Sequence, residues 1–385
     1  MVSACHSLND YLRAQADSSG GVLPFVRFMA HALYHPQWGY YISGRPKLGR
    51  GGDFVTAPEM TAMFGELIAV QIVEVWEIMG CPDSFTVVEM GGGSGKLAWD
   101  VLGVLQRIQP LYDALSFVLI ETSPDFQNQQ RNRLSEDPKR LSVCVWETDI
   151  TACDSFEGVI YSNEFLDALP VHWVEMTESG LQERAVVWQD ERWDFTCIPP
   201  ELPLSADYFD HLNCALSVGF QTEVGLAGQQ WMALAANQLN RGLILSIDYG
   251  YCAKDYYALP QGTLMGHRGH QTVNNPLETP GEMDLTAHVD FSAIARSGVQ
   301  QGLTTIGWTT QAWFLMGLGL LERMDAVMRS ATIPESDREH VRQTVMRLTM
   351  PDGMGERFKV LAQGRGLPEG AVLTGFRLND QQKRL

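Results

Sequence analysis

The sequence contains no clustered set of cysteines. Its seven cysteines, at positions 5, 81, 144, 153, 197, 214 and 252, are scattered, and no C-x-x-C pair occurs. Zinc clusters and disulfide frameworks both need cysteines at short, regular spacings, and disulfides persist mainly in oxidising compartments. The dispersed set therefore predicts reduced thiols, no metal centre and a location in the cytoplasm.

Long apolar runs are also missing. The run at 314–321 is far shorter than the roughly 20 residues that a membrane-spanning helix needs. Residues 1–24 have neither an apolar core nor an excess of arginine, which predicts neither a secretory signal nor a transit peptide. We therefore expect no membrane insertion.

Positive charge is in short supply. The 385 residues include 28 Lys and Arg against 46 Asp and Glu, a formal net charge of −18. Binding to a nucleic-acid backbone needs clustered cations, and no basic run occurs, so DNA and RNA are not expected partners. The acidic balance favours a basic peptide or protein partner, although such a charge also simply aids solubility.

The most informative stretch is 85–97, FTVVEMGGGSGKL. A β-branched apolar run ends at Glu89, and Gly91, Gly93 and Gly95 follow before helical spacing begins. This strand, glycine turn and helix are typical of the opening unit of a nucleotide-binding α/β domain, because glycines permit unusual dihedrals and a close ligand. A turn that only joins a strand to a helix remains the alternative.

The spacing of this turn excludes two nucleotide sites. A dinucleotide fingerprint that starts at Gly91 needs glycine at position 96, which is Lys96. A phosphate loop that ends in Gly-Lys needs glycine at position 90 and a hydroxyl at 97, which are Met90 and Leu97. The remaining pattern, acid-x-G-x-G-x-G, resembles the first motif of class I methyltransferases, which bind S-adenosylmethionine.

Acidic residues follow three further predicted strands. Glu121 ends the strand at 116–121, where Rossmann-like units place a ribose-binding acid, and Asp149 follows the third strand within reach of an adenine amine. Asn163, Glu164 and Asp167 follow the fourth strand and are expected at the same crevice. An ordinary loop aspartate at 149 and an Asn-Glu helix cap at 163–164 remain alternatives.

A helix is predicted from Thr56 to about Met79. Thr56 and Glu59 form a capping-box pattern, and Pro58 lies in the first turn, where its missing N–H costs no bond. The free amides of this helix start can face a ligand. Elsewhere we expect a helix at 23–34 with His35 capping the turn after it, a loop at 44–53, a long loop at 256–284 and an edge strand at 357–363.

Segments spread over nearly the whole chain resemble one family, the MidA-like methyltransferases. They are HP at 35–36, GYY at 39–41, GDFVTAPE at 52–59, FGE at 64–66, VEMGGGSG at 88–95, NEFLDALPVH at 163–172, DYG at 248–250, DLTAHVDF at 284–291 and MGERF at 354–358. Mitochondrial relatives are protein arginine methyltransferases that assist assembly of respiratory complex I. Their glycine turn often carries a proline and an arginine, where this chain has Gly92 and Ser94.

The resemblance implies a class I, Rossmann-like α/β fold: a mostly parallel seven-stranded sheet with helices on both faces. The expected divisions are an N-terminal helical extension (1–80), the first part of the S-adenosylmethionine-binding core (81–170), an inserted antiparallel cap or substrate lobe (171–227) and the rest of the core (228–385) with a lid loop at 251–284. S-adenosylmethionine is the implied cofactor. Glu89, Gly91, Gly93, Gly95, Glu121, Asp149, Thr56, Pro58 and Glu59 are the expected cofactor-binding residues.

The resemblance also implies an acceptor site for arginine. A guanidinium is fully protonated at neutral pH, so its methylation needs carboxylates that grip it and localise its charge. Glu164 is the expected carboxylate, Asp167 and Glu59 support it, Asn163 orients the substrate, and His288 either accepts the released proton or is structural. A respiratory-complex subunit is one candidate partner and a homodimer one candidate assembly. Methylation of a metabolite or another side chain, and a non-catalytic assembly chaperone, remain alternatives.

Overall fold

The computed structural model describes residues 5–42, 56–200, 204, 208–209, 216–269, 271–273 and 275–385, so the expected loop at 44–53 lies outside the described residues. The helices are α1 (Leu8–Ser18), α2 (Phe25–Tyr34), α3 (Ala57–Met60), α4 (Ala62–Ile78), α5 (Lys96–Leu105), α6 (Gln109–Ala114), α7 (Pro124–Leu134), α8 (Pro138–Ser142), α9 (Leu226–Gln238), α10 (Ala253–Tyr256), α11 (Phe291–Gln300), α12 (Gln311–Gly317), α13 (Leu320–Arg329) and α14 (Glu335–Thr349).

The strands fall into three sheets. They are β1 (Val22–Pro24), β2 (Phe85–Met90), β3 (Leu115–Ile120), β4 (Cys144–Glu147), β5 (Phe156–Asn163), β6 (His172–Thr177), β7 (Gly180–Gln189), β8 (Arg192–Ile198), β9 (Gln221–Val224), β10 (Leu239–Tyr251), β11 (Met265–Arg268), β12 (Gln271–Val273), β13 (Asp284–Thr286), β14 (Val289–Asp290), β15 (Thr304–Thr310) and β16 (Phe358–Arg365).

The central sheet is mostly parallel, which confirms the expected α/β class. Its order is β15-β16-β10-β5-β2-β3-β4, with the short β14 paired to β10. The strands from β10 to β4 run parallel, so their carboxyl ends share one edge. The sheet is apolar on both faces: Val87 and Val159 pack on one side, and Val88 and Ile160 pack on the other.

The expected edge strand at 357–363 is wrong in its position. β16 is antiparallel to both β10 and β15, and therefore lies inside the sheet. Its polar Gln363 is fully buried and donates to the backbone oxygen of Ala295 at 2.9 Å. This side-chain hydrogen bond satisfies the polar group inside the core.

A second, antiparallel sheet joins the N-terminal segment to the segment that follows β5. Its strands β6, β7, β8 and β9 lie within the range 171–227, where an antiparallel lobe was expected. β1 pairs with β7, with Val22 opposite Val187, so the start of the chain is part of this sheet. The expected helix at 23–34 is present as α2, whose buried face packs against the apolar side chains of this sheet.

The segment 251–284, expected as a long loop, is partly regular. It contains α10 and the strands β11 and β12, and β11 pairs with both β12 and β13. The Gly, Pro and Asn content of this segment favoured a loop, and its short strands β11 and β12 carry little hydrophobic periodicity. Within the described ranges, no helix is both long and apolar enough to span a bilayer.

Candidate active site

A cavity of about 1030 Å³ lies at the carboxyl edge of the central sheet. Ligands of open parallel sheets bind at this edge, and pockets for single small ligands occupy roughly 300–1,000 Å³. The cavity is therefore large enough for a cofactor and part of a second molecule. It is lined by the residues predicted for both roles, namely Thr56, Pro58, Glu59, Glu89, Gly91, Gly93, Glu121, Asp149, Asn163, Glu164, Asp167 and His288.

The glycine turn forms one end of this cavity. Three glycines of this turn have positive φ values, which strain any residue with a side chain: +62° at Gly91, +50° at Gly93 and +76° at Gly95. A Cβ atom on Gly91 would lie 3.1 Å from the ring of Phe165. Gly95 does not line the cavity; a Cβ there would lie 3.0 Å from Cα of Gln130, so this glycine lets α7 pack against the turn.

Gln130 holds the glycine turn, a role that no motif in the sequence indicates. Its side-chain amide donates to the backbone oxygen of Gly93 at 3.0 Å and to Glu121 at 3.4 Å. Its oxygen accepts from the indole N–H of Trp146 at 2.9 Å. Gln130 lies in the polar sequence of α7, where nothing distinguishes it from its exposed neighbours.

Glu89 is buried directly beneath the glycine turn. Its Oε2 accepts a hydrogen bond of 2.7 Å from the hydroxyl of Tyr161. Burial raises the pKa of Glu89 to about 8, although the tyrosine hydroxyl opposes this rise. The carboxyl group is therefore protonated at neutral pH in the absence of a cation.

Glu121 ends β3 at the floor of the cavity, as the sequence predicts. Its Oε1 accepts from the N–H of Ser123 at 2.9 Å, and burial raises the pKa of the carboxyl group to about 7 against these hydrogen bonds. Asp149 is exposed at the rim, where it caps the short helical turn at 150–152 through the N–H of Thr151 at 2.8 Å. Both acids line the cavity, but only Glu121 is enclosed.

The predicted capping box at Thr56 is wrong. Thr56 makes no side-chain cap, and the helix expected to run to Met79 is broken at Thr61, which is extended and caps α4 through the N–H of Met63. Glu59 instead accepts a hydrogen bond from the hydroxyl of Ser94. A contact to the glycine turn thus replaces the local cap, and α3 becomes a separate turn at the cavity wall.

Asn163 and Glu164 begin the turn that follows β5. Glu164 has φ = +51°, a conformation that is costly for a side-chain-bearing residue and that clusters at functional sites. Its Oε1 accepts from the amide of Asn163 at 3.1 Å, and its carboxyl group also accepts from the N–H of Ala57. Burial, and then the charge of Asp167, raises the pKa of Glu164 to about 8.

Asp167 lies on the same turn and is buried. Its Oδ2 accepts from the hydroxyl of Tyr249, while its Oδ1 is buried with no hydrogen-bond partner in the part of the chain that the structure describes. Burial raises the pKa of Asp167 to about 6, and the tyrosine hydrogen bond limits that rise. The sequence analysis gave Tyr249 no role, although it lies in the DYG segment that resembles the family.

A wall of tyrosines from the N-terminal segment faces these carboxyl groups. The hydroxyl of Tyr34 donates to the backbone oxygen of Ala168 at 2.9 Å, and that of Tyr41 donates to Asp284 at 2.8 Å. Burial, and then Asp284, raises the pKa of both phenols well above 10. The sequence analysis missed this wall. His35 caps the intervening turn as predicted, with Nδ1 accepting from the N–H of Gln37 at 3.2 Å.

His288 is half-buried at the acceptor end. Burial, followed by the charges of Lys359 and Arg357, lowers its pKa to about 4, so the imidazole is neutral at neutral pH. Its Nδ1 is buried and has no hydrogen-bond partner within the described ranges, and its ring packs edge-on to Tyr249 at 5.1 Å. The geometry is compatible with both predicted roles, proton acceptance and structural packing.

The two ends of the cavity suit different ligand groups. The glycine turn and Glu121 can receive a nucleoside that approaches the backbone closely, because no Cβ atom intervenes and a carboxyl oxygen can accept from ribose hydroxyls. On and beside the turn after β5, three buried polar atoms have no hydrogen-bond partner among the described residues, namely Oδ1 of Asn163, Oδ1 of Asp167 and Nδ1 of His288. The residues therefore fit a nucleoside cofactor beside a polar acceptor. Among the described residues, no cluster of three or more His, Cys, Asp or Glu is placed to hold a metal ion.

Comparisons with known proteins bear on this cavity. Residues 67–309, which include the glycine turn and the turn after β5, match the family model described as "Putative S-adenosyl-L-methionine-dependent methyltransferase". The chain is 30% identical to the mitochondrial protein arginine methyltransferase NDUFAF7 homologue of Drosophila melanogaster, over 94% of this chain and 85% of that protein. The corresponding Danio rerio protein is 29% identical over 88% of this chain and 82% of its own. A Burkholderia thailandensis crystal structure with bound S-adenosyl-homocysteine is 33% identical, covers 98% of this chain and 96% of that chain, and has a TM-score of 0.88.

Proposed function

The chain belongs to the MidA-like family of S-adenosylmethionine-dependent methyltransferases, and we propose that its acceptor is an arginine side chain of a protein partner. S-adenosylmethionine is its cofactor and supplies an electrophilic methyl group on a sulfonium. The names of the relatives support a protein acceptor. The observation that carries the proposal is a pair of carboxyl groups that line the cavity on the turn after β5, the half-buried Glu164 and the buried Asp167.

These two carboxyl groups suit a cation. Among the described residues, neither Glu164 nor Asp167 forms an ion pair, and each has a pKa raised by burial. A guanidinium that enters between them would favour their ionised forms and return their pKa values toward the ordinary range. Carboxylates bind a guanidinium through paired, charge-assisted hydrogen bonds, which fix its plane as well as its charge.

The geometry then explains how the nucleophile is aligned. Gripping the guanidinium at one edge leaves another nitrogen free to point toward the glycine-turn end, where the methyl donor binds. Displacement at a methyl group depends mainly on such in-line alignment and on exclusion of water. The tyrosine wall of Tyr34 and Tyr41 closes the acceptor end on the N-terminal side.

Transfer forms a nitrogen–carbon bond, breaks the sulfur–carbon bond and releases one proton from the guanidinium nitrogen. The unpartnered Nδ1 of the neutral His288 can accept this proton. A histidine with a lowered pKa releases the proton readily, so it returns to the neutral form before the next turnover.

The test uses purified enzyme, tritiated S-adenosylmethionine and total protein from cells that lack the gene. We expect label in protein that yields methylarginine after acid hydrolysis. Label in another amino acid or in small molecules would overturn the arginine proposal and favour the metabolite or other-side-chain alternatives.

Glu164→Gln separates catalysis from a chaperone role. We expect this variant to bind S-adenosylhomocysteine with wild-type affinity, measured by calorimetry, and to lose at least 100-fold in methylation rate. Glu178→Gln, in the exposed turn between β6 and β7, is the matched control and keeps wild-type activity. A deletion phenotype that the Glu164→Gln gene fully rescues would contradict an essential catalytic role and support the chaperone alternative.

A further inference from the structure

Two consecutive residues at the carboxyl end of β10, Asp248 and Tyr249, converge on the turn that carries Glu164 and Asp167. Asp248 is fully buried. Its Oδ2 lies within hydrogen-bond distance of three successive backbone N–H groups, those of residues 165, 166 and 167, at 3.1, 2.9 and 3.3 Å. Its Oδ1 accepts from the N–H of Tyr249 at 2.9 Å.

This convergence fixes a backbone that would otherwise be costly. The N–H of Glu164, the residue with positive φ, donates to the backbone oxygen of Ile247 at 3.0 Å. β10 therefore supplies acceptors for four consecutive N–H groups of the turn, from position 164 to position 167. A strained conformation persists only where its surroundings determine it in this way.

Tyr249 acts on the side chain of the same turn. Its hydroxyl donates to Oδ2 of Asp167, which leaves Oδ1 as the oxygen without a partner. The tyrosine ring is held edge-on between His288, at 5.1 Å, and Phe358, at 5.4 Å. The direction of the hydroxyl, and hence of the Asp167 carboxyl group, is thus fixed by packing.

We propose that Asp248 and Tyr249 are positioning residues for the acceptor: Asp248 sets the backbone of the Glu164–Asp167 turn, and Tyr249 orients Asp167 so that its free oxygen meets the acceptor's cationic group. This inference rests on the proposed function, because it gives Asp167 a substrate to meet. Neither residue contacts the transferred methyl group in this scheme; both act through the turn.

The electrostatic surroundings of Asp167 predict a pH signature. The groups that face it are Glu164 on the same turn, Asp248 and Tyr249 on β10, Asp284 and His288 from the segment that follows, and Tyr34 and Tyr41 from the N-terminal wall. Burial opposes ionisation of Asp167, whereas the Tyr249 hydrogen bond favours it and lowers its pKa. Loss of that hydroxyl must therefore raise the pKa of Asp167.

The test is Tyr249→Phe, which keeps the ring and its packing and removes only the hydroxyl. We expect unchanged calorimetric affinity for S-adenosylhomocysteine and a rate of extract-protein methylation at least tenfold lower near pH 7. The acid side of the pH–rate profile should contain a Glu164 step near pH 8 and an Asp167 step near pH 6. The Asp167 step should move up by about one pH unit, since a hydrogen bond to a charged group is worth that much. A merely structural tyrosine would not move this step.

Tyr257→Phe is the matched control. It removes another buried tyrosine–aspartate hydrogen bond, from Tyr257 to Asp290 at 3.0 Å, outside the cavity. We expect its profile to coincide with that of the wild type, whatever its effect on the melting temperature.

The outcomes separate the two proposals. An active wild type with a Tyr249→Phe profile that coincides with it overturns the positioning role and leaves the methyltransferase proposal standing. A wild type that methylates no arginine in the extract overturns the proposed acceptor itself. A second variant, Asp248→Asn, places an amide N–H₂ group against backbone N–H donors. We expect this variant to lose activity while it retains S-adenosylhomocysteine binding. Wild-type activity in Asp248→Asn would contradict the role of Asp248 in setting the turn.

Discussion

Replacement of Glu89 by glutamine should stabilise the ligand-free protein at alkaline pH. Glu89 is 2% exposed, and its pKa is raised from 4.5 to about 8, chiefly by burial. Glutamine keeps an oxygen that can accept from the Tyr161 hydroxyl, which bonds Glu89 at 2.7 Å, but it carries no charge at any pH. The comparison therefore isolates the cost of ionising a buried carboxyl group.

The sign follows from proton linkage. Below pH 4.5 the carboxyl group is protonated in both states, and its favourable contribution to folding is complete. Between pH 4.5 and about 8 the unfolded chain ionises first while the folded protein keeps the proton, so the free energy of unfolding falls as pH rises. Between pH 5.5 and pH 8.5 this loss amounts to roughly 3 kcal/mol, at 1.36 kcal/mol per pKa unit.

The assay is urea denaturation of both proteins at those two pH values, without S-adenosylhomocysteine, because a ligand that binds only the folded state adds stability of its own. We expect the free-energy difference between Glu89→Gln and the wild type to grow in favour of glutamine by roughly 3 kcal/mol at the higher pH. Glu178→Gln, at an exposed turn, should show no such growth. An equal difference at both pH values would refute the reasoning, since it would mean that Glu89 is already ionised in the folded protein near pH 5.5.

Two further variants test the cofactor end. Gly93→Val should weaken S-adenosylhomocysteine binding at least 100-fold in calorimetry, because Gly93 has φ = +50° and lines the cavity. Its control is Gly20→Val, at φ = +80° with no neighbour within 4 Å, which should lower only the stability of the protein. Wild-type affinity in Gly93→Val would mean that the turn does not contact the cofactor. Gln130→Leu leaves a backbone oxygen and an indole N–H unpaired, a cost of about 1–3 kcal/mol for each buried group, and should lower both the melting temperature and S-adenosylhomocysteine affinity. The exposed Gln129→Leu is its control, and equal effects of the two would contradict the role of Gln130.

The sequence predicted best where chemistry and strand order coincide. The glycine turn, Glu121 and the Asn163–Asp167 turn all follow buried strands, and the parallel sheet brings their ends to one cavity. Apolar, β-branched runs identify such strands directly, and the carboxyl-end rule then places the residues that follow them. The sequence alone therefore predicts the fold class and the position of the cavity.

The sequence predicted least well where long-range contacts replace local ones. A capping box was expected at Thr56, but Glu59 bonds Ser94, and Thr61 breaks the helix. Gln130 and Asp248 act through several hydrogen bonds to parts of the chain that are distant in sequence, and neither residue type nor spacing signals such bonds. These residues become visible only when the turns they hold are seen in three dimensions.

The pairing of β1 with β7 has a consequence for how the molecule folds. Val22 pairs with Val187, Tyr34 bonds Ala168 and Tyr41 bonds Asp284, so this side of the cavity is built from contacts between distant parts of the chain. Closing such loops costs entropy before the contacts repay it, and folding through distant contacts is slow. During synthesis, β1 cannot pair until β7 has left the ribosome, so this side of the cavity is completed only after β2, β3, β4 and β5 have been made.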